Sequence, residues 1–191
     1  LDKCRKDMKF KGTLLEFYEH TRQSFSSKQN VINVCKKVQN DIYEKIYPKY
    51  FHKDLHKNDL AKVKPVVMKS SRLFAFYIGT KKKGDFYVNT KYYNTLNKYE
   101  LLTLTLHEAL PGHHLEQFTH NNSKDIPMYM KASAQTGYTE GWGLYCENFT
   151  DLHSKKELVW KYIYELLRSV RLVVDTGIHA YNWSYDKCFQ Y

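Results

Sequence analysis

The chain has 191 residues, which is long enough to bury a sizeable hydrophobic core and favours one continuous domain. Its hydrophobic share of 42% is typical of a globular protein, while its formal charge of +10 would allow contact with nucleic acid or an anionic membrane. Because the basic residues are dispersed and no compact nucleic-acid motif occurs, we expect a solvated basic surface and no nucleic-acid partner.

Membrane insertion and disulfide bonding are also disfavoured. The sequence contains no apolar run long enough to span a membrane, and its beginning shows no signal peptide, so a cytoplasmic location is slightly favoured. The four cysteines are far apart and form no Cys-x-x-Cys pair, which favours free or buried thiols. We therefore expect neither a membrane span nor a disulfide-stabilised scaffold.

The first sixty residues are predicted to be a helical segment, because apolar residues recur at helical spacing between Val31 and Ile46. Pro48 is expected to end this stretch, since proline lacks the N–H that a continuing helix needs. Short β-type runs then predict two or three strands, with a hairpin around residues 80–84. The predicted strands cover residues 63–67, 73–78 and 86–88.

Helical periodicity returns after Asn94. One helix is predicted from about Asn97 through the histidine-rich segment, a second over residues 127–149 and a third over residues 157–180. Ser184 is a good N-cap for a last short helix. The expected fold is therefore mainly α with a small β-sheet, an α+β arrangement in which residues 1–60 and 61–191 form one continuous domain.

The most informative segment is His107-Glu108-Ala109-Leu110-Pro111-Gly112-His113-His114, because imidazole and carboxylate groups are ligands of catalytic zinc. Its spacing differs from the His-Glu-x-x-His pattern, in which ligands four residues apart share a helix face. His113 would lie about 120° around an ideal helix from His107, and His114 roughly 10.5 Å along its axis. An unbroken helix therefore brings neither histidine to His107 comfortably.

Pro111 and Gly112 offer a solution to the spacing. Pro111 cannot donate to the His107 carbonyl, and Gly112 can adopt backbone angles closed to other residues. We expect the helix to break here, so that His107 and His113 converge on one metal ion. His114 is the alternative second ligand.

Four segments of the sequence, in the same order, resemble the DUF885 family, whose members are expected to be zinc-dependent peptidases. They are the His-Glu-x-x-Pro-Gly-His-His segment at residues 107–115 and the segments at residues 84–90, 138–145 and 171–179. The resemblance implies a gluzincin-like, oligopeptidase-like helical metallopeptidase domain over residues 61–191. It also implies that this domain is the C-terminal catalytic part of a larger fold.

The resemblance implies roles for particular residues in the hydrolysis of peptides. His107, His113 and Glu140 would be the zinc ligands, and Glu108 the general base that activates water. Glu147, which lies seven residues after Glu140, is the alternative carboxylate ligand.

Other residues are candidates for substrate contacts. His179 would donate to the developing oxyanion or touch the substrate, with Asp175 orienting it; a polar pair near a helix end at Gly177 is the alternative. Tyr87 and Asn89 lie on a strand that zinc peptidases often use as an edge for the substrate backbone, and Tyr138 offers a phenolic donor.

The chain also departs from the family pattern. Glu116 stands where members commonly have Gln, and members carry longer N-terminal and C-terminal regions. The sequence is therefore expected to be either a fragment of a larger enzyme or a reduced form. The alternative function is a non-catalytic, zinc-stabilised binding or assembly domain, completed by a homodimer or by the missing segments.

Overall fold

A computed structural model of the chain describes residues 1–51, 55–69, 74–79, 83–133 and 135–191. Helices dominate it and a small sheet lies between the N-terminal and C-terminal helices, so the prediction of a mainly α fold with a small β-sheet is confirmed. The helices are α1 (Asp2–Asp7), α2 (Leu14–His20), α3 (Lys28–Lys45), α4 (Tyr47–Tyr50), α5 (Leu101–Glu108), α6 (His113–Asn122), α7 (Met128–Ala132), α8 (Thr136–Cys146), α9 (Lys155–Tyr181) and α10 (Tyr185–Phe189).

The long N-terminal helix α3 begins where the Ser27 side chain accepts a hydrogen bond from the Asn30 N–H. Such a cap satisfies one of the backbone donors that a helix start leaves unpaired. The helix ends at Lys45, before Pro48, so the prediction that Pro48 ends it was wrong. Pro48 instead lies in the first turn of α4, where its missing N–H costs no hydrogen bond.

The sheet contains β1 (Lys62–Val66), β2 (Ala75–Gly79) and β3 (Gly84–Asn89), in the order β1-β3-β2 among the described residues. β1 runs parallel to β3, and β2 runs antiparallel to it with Gly79 paired to Gly84. The three predicted strands are thus found, although residue 73 and the hairpin residues 80–82 lie outside the described residues. The expectation that residues 86–89 form an edge strand was wrong, because β3 is central and β2 is the outer strand.

Two of the predicted C-terminal helices are interrupted. The helix predicted from Asn97 starts as a 3-10 turn at Lys98–Glu100, continues as α5 and resumes as α6 after a break. The helix predicted over residues 127–149 is divided into α7 and α8, with extended backbone at Ser133. The third predicted helix is α9, and Ser184 caps α10 through the Lys187 N–H, as expected.

Helix α5 is buried between two hydrophobic clusters. Leu101 packs with side chains of α3 and of the sheet, including Val31 and Phe86. Leu102 and Leu106 pack on the opposite side with the end of α3 and the beginning of α6. Because α5 is held on both sides, the residues at its C-terminal end have fixed positions.

None of the described helices combines the length and the apolar composition needed to cross a membrane.

The second half of α9 presents apolar side chains to solvent. A broad exposed apolar surface on a folded domain is typical of contact sites. The homodimer or further chain segments expected to complete the fold stay a prediction. The exposed side chains are Leu166, Leu167, Leu172, Val173, Ile178 and Tyr181.

We predict that Glu100 makes the fold less stable as the pH rises. This residue is 6% exposed and accepts a hydrogen bond of 2.9 Å from the Tyr164 hydroxyl. Burial raises the pKa of its carboxyl from 4.5 to about 7. Between these two values the folded state binds more protons than the unfolded state, so stability falls as the pH rises through that window.

Replacement of Glu100 by Gln should remove this dependence. Between pH 4 and pH 8 the free energy of unfolding of the wild type should fall by up to about 3 kcal/mol. Glu100→Gln should not show this loss. Denaturant unfolding of both proteins across this range measures the difference. Parallel stability curves for the two proteins would contradict the prediction.

Candidate metal centre

The break between α5 and α6 determines how the histidines meet. The Ala109 N–H still bonds to the Thr105 carbonyl, whereas the His114 N–H reaches back across the break to the Ala109 carbonyl at 3.1 Å. Gly112 lies against the end of α5, and a Cβ atom there would overlap the His107 carbonyl oxygen. The predicted break at Pro111 and Gly112 is confirmed, and only a residue without a side chain fits where the chain turns.

The break brings the rings of His107 and His113 together. Their centroids are 4.7 Å apart and the rings are nearly perpendicular, at 87°. Both side chains are buried. Burial, together with the neighbouring His107, holds the pKa of His113 well below its ordinary value. The neutral ring that results has the free lone pair that a metal ligand needs.

Glu140 on α8 completes a three-residue cluster with these histidines. One of its carboxylate oxygens lies 3.3 Å from His107 Nε2 and the other 3.7 Å from His113 Nε2. One ligand atom from each of the three residues lies within 4.8 Å of the others. Ligands bonded at 2.0–2.1 Å to a tetrahedral zinc ion are about 3.3 Å apart, so the two distances from Glu140 are near those of such a site, and the donor types suit a metal ion.

Glu147 orients His107 instead of joining the cluster. Its carboxylate accepts a hydrogen bond of 2.7 Å from His107 Nδ1, which leaves Nε2 to face Glu140. Burial lowers the pKa of His107, but the bond to Glu147 and the charge of Glu108 outweigh burial and raise it. A carboxylate behind a ligand histidine fixes the tautomer and orientation of its ring.

Arg168 on α9 holds Glu147 in place with two hydrogen bonds, at 2.8 and 2.6 Å. The two carboxylate oxygens of Glu147 therefore already face Arg168 and His107, which separates this alternative ligand from the cluster. Sequence reasoning missed Arg168. No motif or spacing connects it with Glu147, and only the fold brings the two residues together.

Helix α8 supplies more than one ligand to the site. One turn after Glu140, Gly143 lies against the His107 ring, where a Cβ atom would be 2.6 Å from the nearest ring carbon. Trp142 donates from Nε1 to the Pro111 carbonyl at 2.9 Å and so ties α8 to the break. The segment at residues 138–145 therefore provides the candidate ligand Glu140 and the glycine against which the His107 ring lies. It also provides the Trp142 hydrogen bond to the break between α5 and α6.

Glu108 lies beside the cluster as the last residue of α5. One of its carboxylate oxygens is 3.9 Å from His113 Nε2. Burial raises the pKa of Glu108 to about 7, against the opposing effects of His107 and of the Tyr77 N–H. A buried carboxylate with such a pKa, beside three candidate metal ligands, is suited to exchange protons near neutral pH.

His114, the alternative second ligand, faces away from the cluster. It is 1% exposed, and its two ring nitrogens face the Tyr77 hydroxyl at 2.9 Å and the Asp59 carbonyl at 2.7 Å. With both nitrogens occupied, His114 has no lone pair for a metal ion. The described residues thus favour His113 as the second ligand.

The remaining candidate residues do not lie in the cluster. His179 and Asp175 are 75% and 77% exposed, and they pair with each other at 3.6 Å on α9, which continues past Gly177 to Tyr181. Among the described residues, the structure shows no contact between this pair and the cluster of His107, His113 and Glu140. Their catalytic role stays a prediction.

The candidate substrate residues Tyr87 and Asn89 belong to the central strand. Asn89 is buried, and its side-chain oxygen accepts hydrogen bonds from the N–H groups of Met68 and Lys91. The Tyr87 hydroxyl donates to Asp85 at 3.3 Å. Tyr138 is exposed near the beginning of α8. These contacts support the fold, and a substrate role for the three residues stays a prediction.

The fold and the site define a mainly helical protein with a His-His-Glu cluster that is suited to bind a metal ion. A family model described as "Bacterial protein of unknown function (DUF885)" matches residues 1–191, so the chain belongs to the DUF885 family. No curated protein matches the chain.

A crystal structure from Colwellia psychrerythraea, described as that of a candidate lipoprotein, is similar to this chain. The TM-score is 0.78 and the sequence identity is 22%. The match covers 99% of this chain and 35% of that protein, so the chain spans about a third of its length. At this identity, the likeness supports the fold and no more.

We predict that Gly143→Ala weakens zinc binding about 100-fold, because the added methyl group displaces the His107 ring. Gly141→Ala is the matched control on the same helix, since a Cβ atom there meets nothing within 4 Å. The control should bind zinc as the wild type does. Competition titration against a chromophoric chelator measures both affinities, and wild-type affinity in Gly143→Ala would contradict the assignment.

We also predict that His113→Ala loses zinc whereas His114→Ala retains it. The second variant should be less stable by about 1–3 kcal/mol, because it leaves the Tyr77 hydroxyl and the Asp59 carbonyl without their partner. Elemental analysis after dialysis gives the zinc content of each variant. The reverse result would make His114 the ligand.

Proposed function

We propose that the protein hydrolyses peptide bonds with zinc, and that Glu108 is the general base. The observation that carries the proposal is the position of the Glu108 carboxylate beside the cluster of His107, His113 and Glu140. In a gluzincin-like arrangement, the third ligand likewise comes from a helix that follows the two histidines. The Glu140 side chain is 56% exposed, so the cluster is accessible from solvent on that side.

The donor set is typical of a catalytic zinc site. Structural zinc sites usually have four protein ligands, whereas catalytic sites have three and leave one position for water or substrate. Zinc held by His107, His113 and Glu140 would supply a Lewis acid that polarises a peptide carbonyl and acidifies a water molecule. The chain's own residues perform the proton transfers.

Glu108 would accept a proton from the attacking water as the bond between the water oxygen and the carbonyl carbon forms. It would then give this proton to the peptide nitrogen as the carbon–nitrogen bond breaks, so the carboxylate is regenerated.

The outer strand β2 supports a peptide as the substrate. The Asn89 N–H bonds to the Phe74 carbonyl at 2.8 Å, and the antiparallel register then turns the backbone groups of Ala75, Tyr77 and Gly79 away from β3. An extended peptide that lay along this edge would form backbone hydrogen bonds with it. In this proposal β2 takes the substrate-binding role predicted for residues 86–89.

The location of the whole protein is also a proposal, because the chain spans only 35% of the length of the similar structure. A cytoplasmic location is the sequence-based prediction. The description of the Colwellia protein as a candidate lipoprotein instead suggests the cell envelope.

We predict that Glu108→Gln lowers peptide turnover about 100-fold to 10,000-fold and leaves the zinc content unchanged, since glutamine cannot accept the proton. Hydrolysis of a library of fluorogenic peptides, with metal analysis of each preparation, measures both quantities. Glu100→Gln is the matched control, because that carboxyl is also buried with a pKa raised to about 7.

Two results would contradict the proposal. If Glu108→Gln hydrolysed peptides as fast as the wild type, Glu108 could not be the general base. Stoichiometric zinc without hydrolysis of any peptide in the wild type would favour the non-catalytic, zinc-stabilised binding domain.

A further inference from the structure

A groove of about 260 Å³ between α8 and α9 adjoins the candidate metal ligands. Its α8 wall contains Gly141 and Leu144, which follow the candidate ligand Glu140 by one and four residues. Residues four apart share one side of a helix, so the groove continues from the exposed side of Glu140. Glu147 also lines the groove, and it bonds to the His107 ring at 2.7 Å.

The dimensions and the α8 wall of this groove suit a short stretch of peptide. Leu144 and Tyr145 line it with side chains that are 37% and 58% exposed, so apolar surface is open to a ligand. From Glu140 to Glu147 the wall is roughly 10 Å long, because a helix rises about 1.5 Å per residue. An extended chain advances about 3.3–3.6 Å per residue, so this length corresponds to about three residues of a bound peptide.

Lys161 on α9 supplies the buried positive charge of the groove. Its side chain is only 8% exposed, and its ammonium donates to a carboxylate oxygen of Glu165 at 2.9 Å. Its Nζ also lies 4.6 Å from the centre of the Tyr162 ring. An ammonium group removed from water is costly unless an anion compensates its charge. Lys161 therefore needs a carboxylate partner at this position.

The two carboxylates that line the groove differ in how firmly they are held. Glu147 already accepts two hydrogen bonds from Arg168 and one from His107. Glu165 is 58% exposed and lies one turn after Lys161, which is the arrangement of helix surface pairs that contribute little stability. Because Glu165 can turn to water at small cost, a ligand carboxylate can replace it beside Lys161.

We propose that this groove binds a carboxylate of a peptide, with Lys161 as the cation that recognises it. An ammonium group has three N–H donors, so it can pair with a ligand carboxylate as it pairs with Glu165. Two sources share this chemistry: the C-terminal carboxylate of the peptide, and an acidic side chain after the bond that is cleaved. The assignment of the ligand as a substrate rests on the proposed function, whereas binding of the carboxylate does not.

A pair of small probes measures the binding without hydrolysis. N-acetyl-leucine has a carboxylate where N-acetyl-leucinamide has a neutral amide. NMR titration of the Gly141 and Leu144 amides, in the full chain with zinc added, follows the binding of each probe. We expect N-acetyl-leucine to bind about tenfold more tightly than the amide. Lys161→Met should weaken binding of N-acetyl-leucine about tenfold and leave binding of the amide unchanged.

Glu165→Gln separates recognition of a ligand from a purely structural ion pair. Lys161→Met and Glu165→Gln break the same ion pair, but only Glu165→Gln removes the competing carboxylate. Binding of N-acetyl-leucine should therefore become about threefold tighter in Glu165→Gln. If Lys161→Met fails to fold, this variant decides the question alone.

Lys156→Met is the matched control for the lost charge. Lys156 is also on α9, and its Nζ lies 5.2 Å from the centre of the Tyr99 ring. It is not among the described residues that line the groove, so this variant should bind both probes as the wild type does.

Kinetics identify the source of the carboxylate. If the C-terminus is the source, amidation of a peptide's C-terminus should lower kcat/KM about tenfold. If a side chain is the source, amidated peptides with Asp or Glu after the cleaved bond should be preferred. Hydrolysis that is indifferent to both changes would overturn the assignment of the groove to the substrate.

Two binding results would overturn the inference. Equal binding of N-acetyl-leucine to the wild type and Lys161→Met, which is expected if the carboxylate binds only to zinc, is the first. Weaker binding to Glu165→Gln is the second. If the wild type hydrolyses no peptide, the proposed function fails, and the probe titrations still decide whether the groove binds a carboxylate.

Discussion

The arrangement of the three candidate metal ligands depends on the close contact between Gly112 and the end of α5. A side chain at this position would overlap the His107 carbonyl oxygen and push α6 away from α5. His113 would then leave the His107 ring, since it is the first residue of α6. The Trp142 side chain bonds to the carbonyl next to Gly112 and ties the break to the helix that carries Glu140. All three candidate ligands are therefore positioned relative to one short turn.

The same region concentrates buried charge, which is costly unless it is compensated. Glu147 is buried, and the two hydrogen bonds from Arg168 compensate its charge while it orients His107. Glu108 and Glu140 have no such arginine partner among the described residues, and their proximity adds to the raised pKa of Glu108. A dication between Glu140 and the two histidines would balance this excess of negative charge. The arrangement thus favours a bound metal ion on electrostatic grounds as well as by its distances.

The sequence predicted what depends on residues close together in the chain. The convergence of His107 and His113 followed from seven residues and from the chemistry of Pro-Gly, and the capped helices at the C-terminal end followed from local periodicity. The order of the strands did not follow, because pairing of β1 with β3 is a long-range contact that no local pattern encodes. For the same reason the sequence did not predict the bond between Arg168 and Glu147 or the contact of the Tyr77 hydroxyl with His114, because these partners lie 21 or more residues apart and meet only in the folded chain. The interruptions at Lys45 and Ser133 show that helical periodicity alone does not fix where helices end.

The metal site can be tested with a zinc-edge anomalous difference map from crystals of the zinc-loaded protein. We expect one strong peak at about 2.0–2.2 Å from His107 Nε2, His113 Nε2 and a carboxylate oxygen of Glu140. His114 should keep its bonds to Tyr77 and Asp59. A peak bonded to His114 or to Glu147, or no peak at this cluster, would show that the ligands are assigned wrongly.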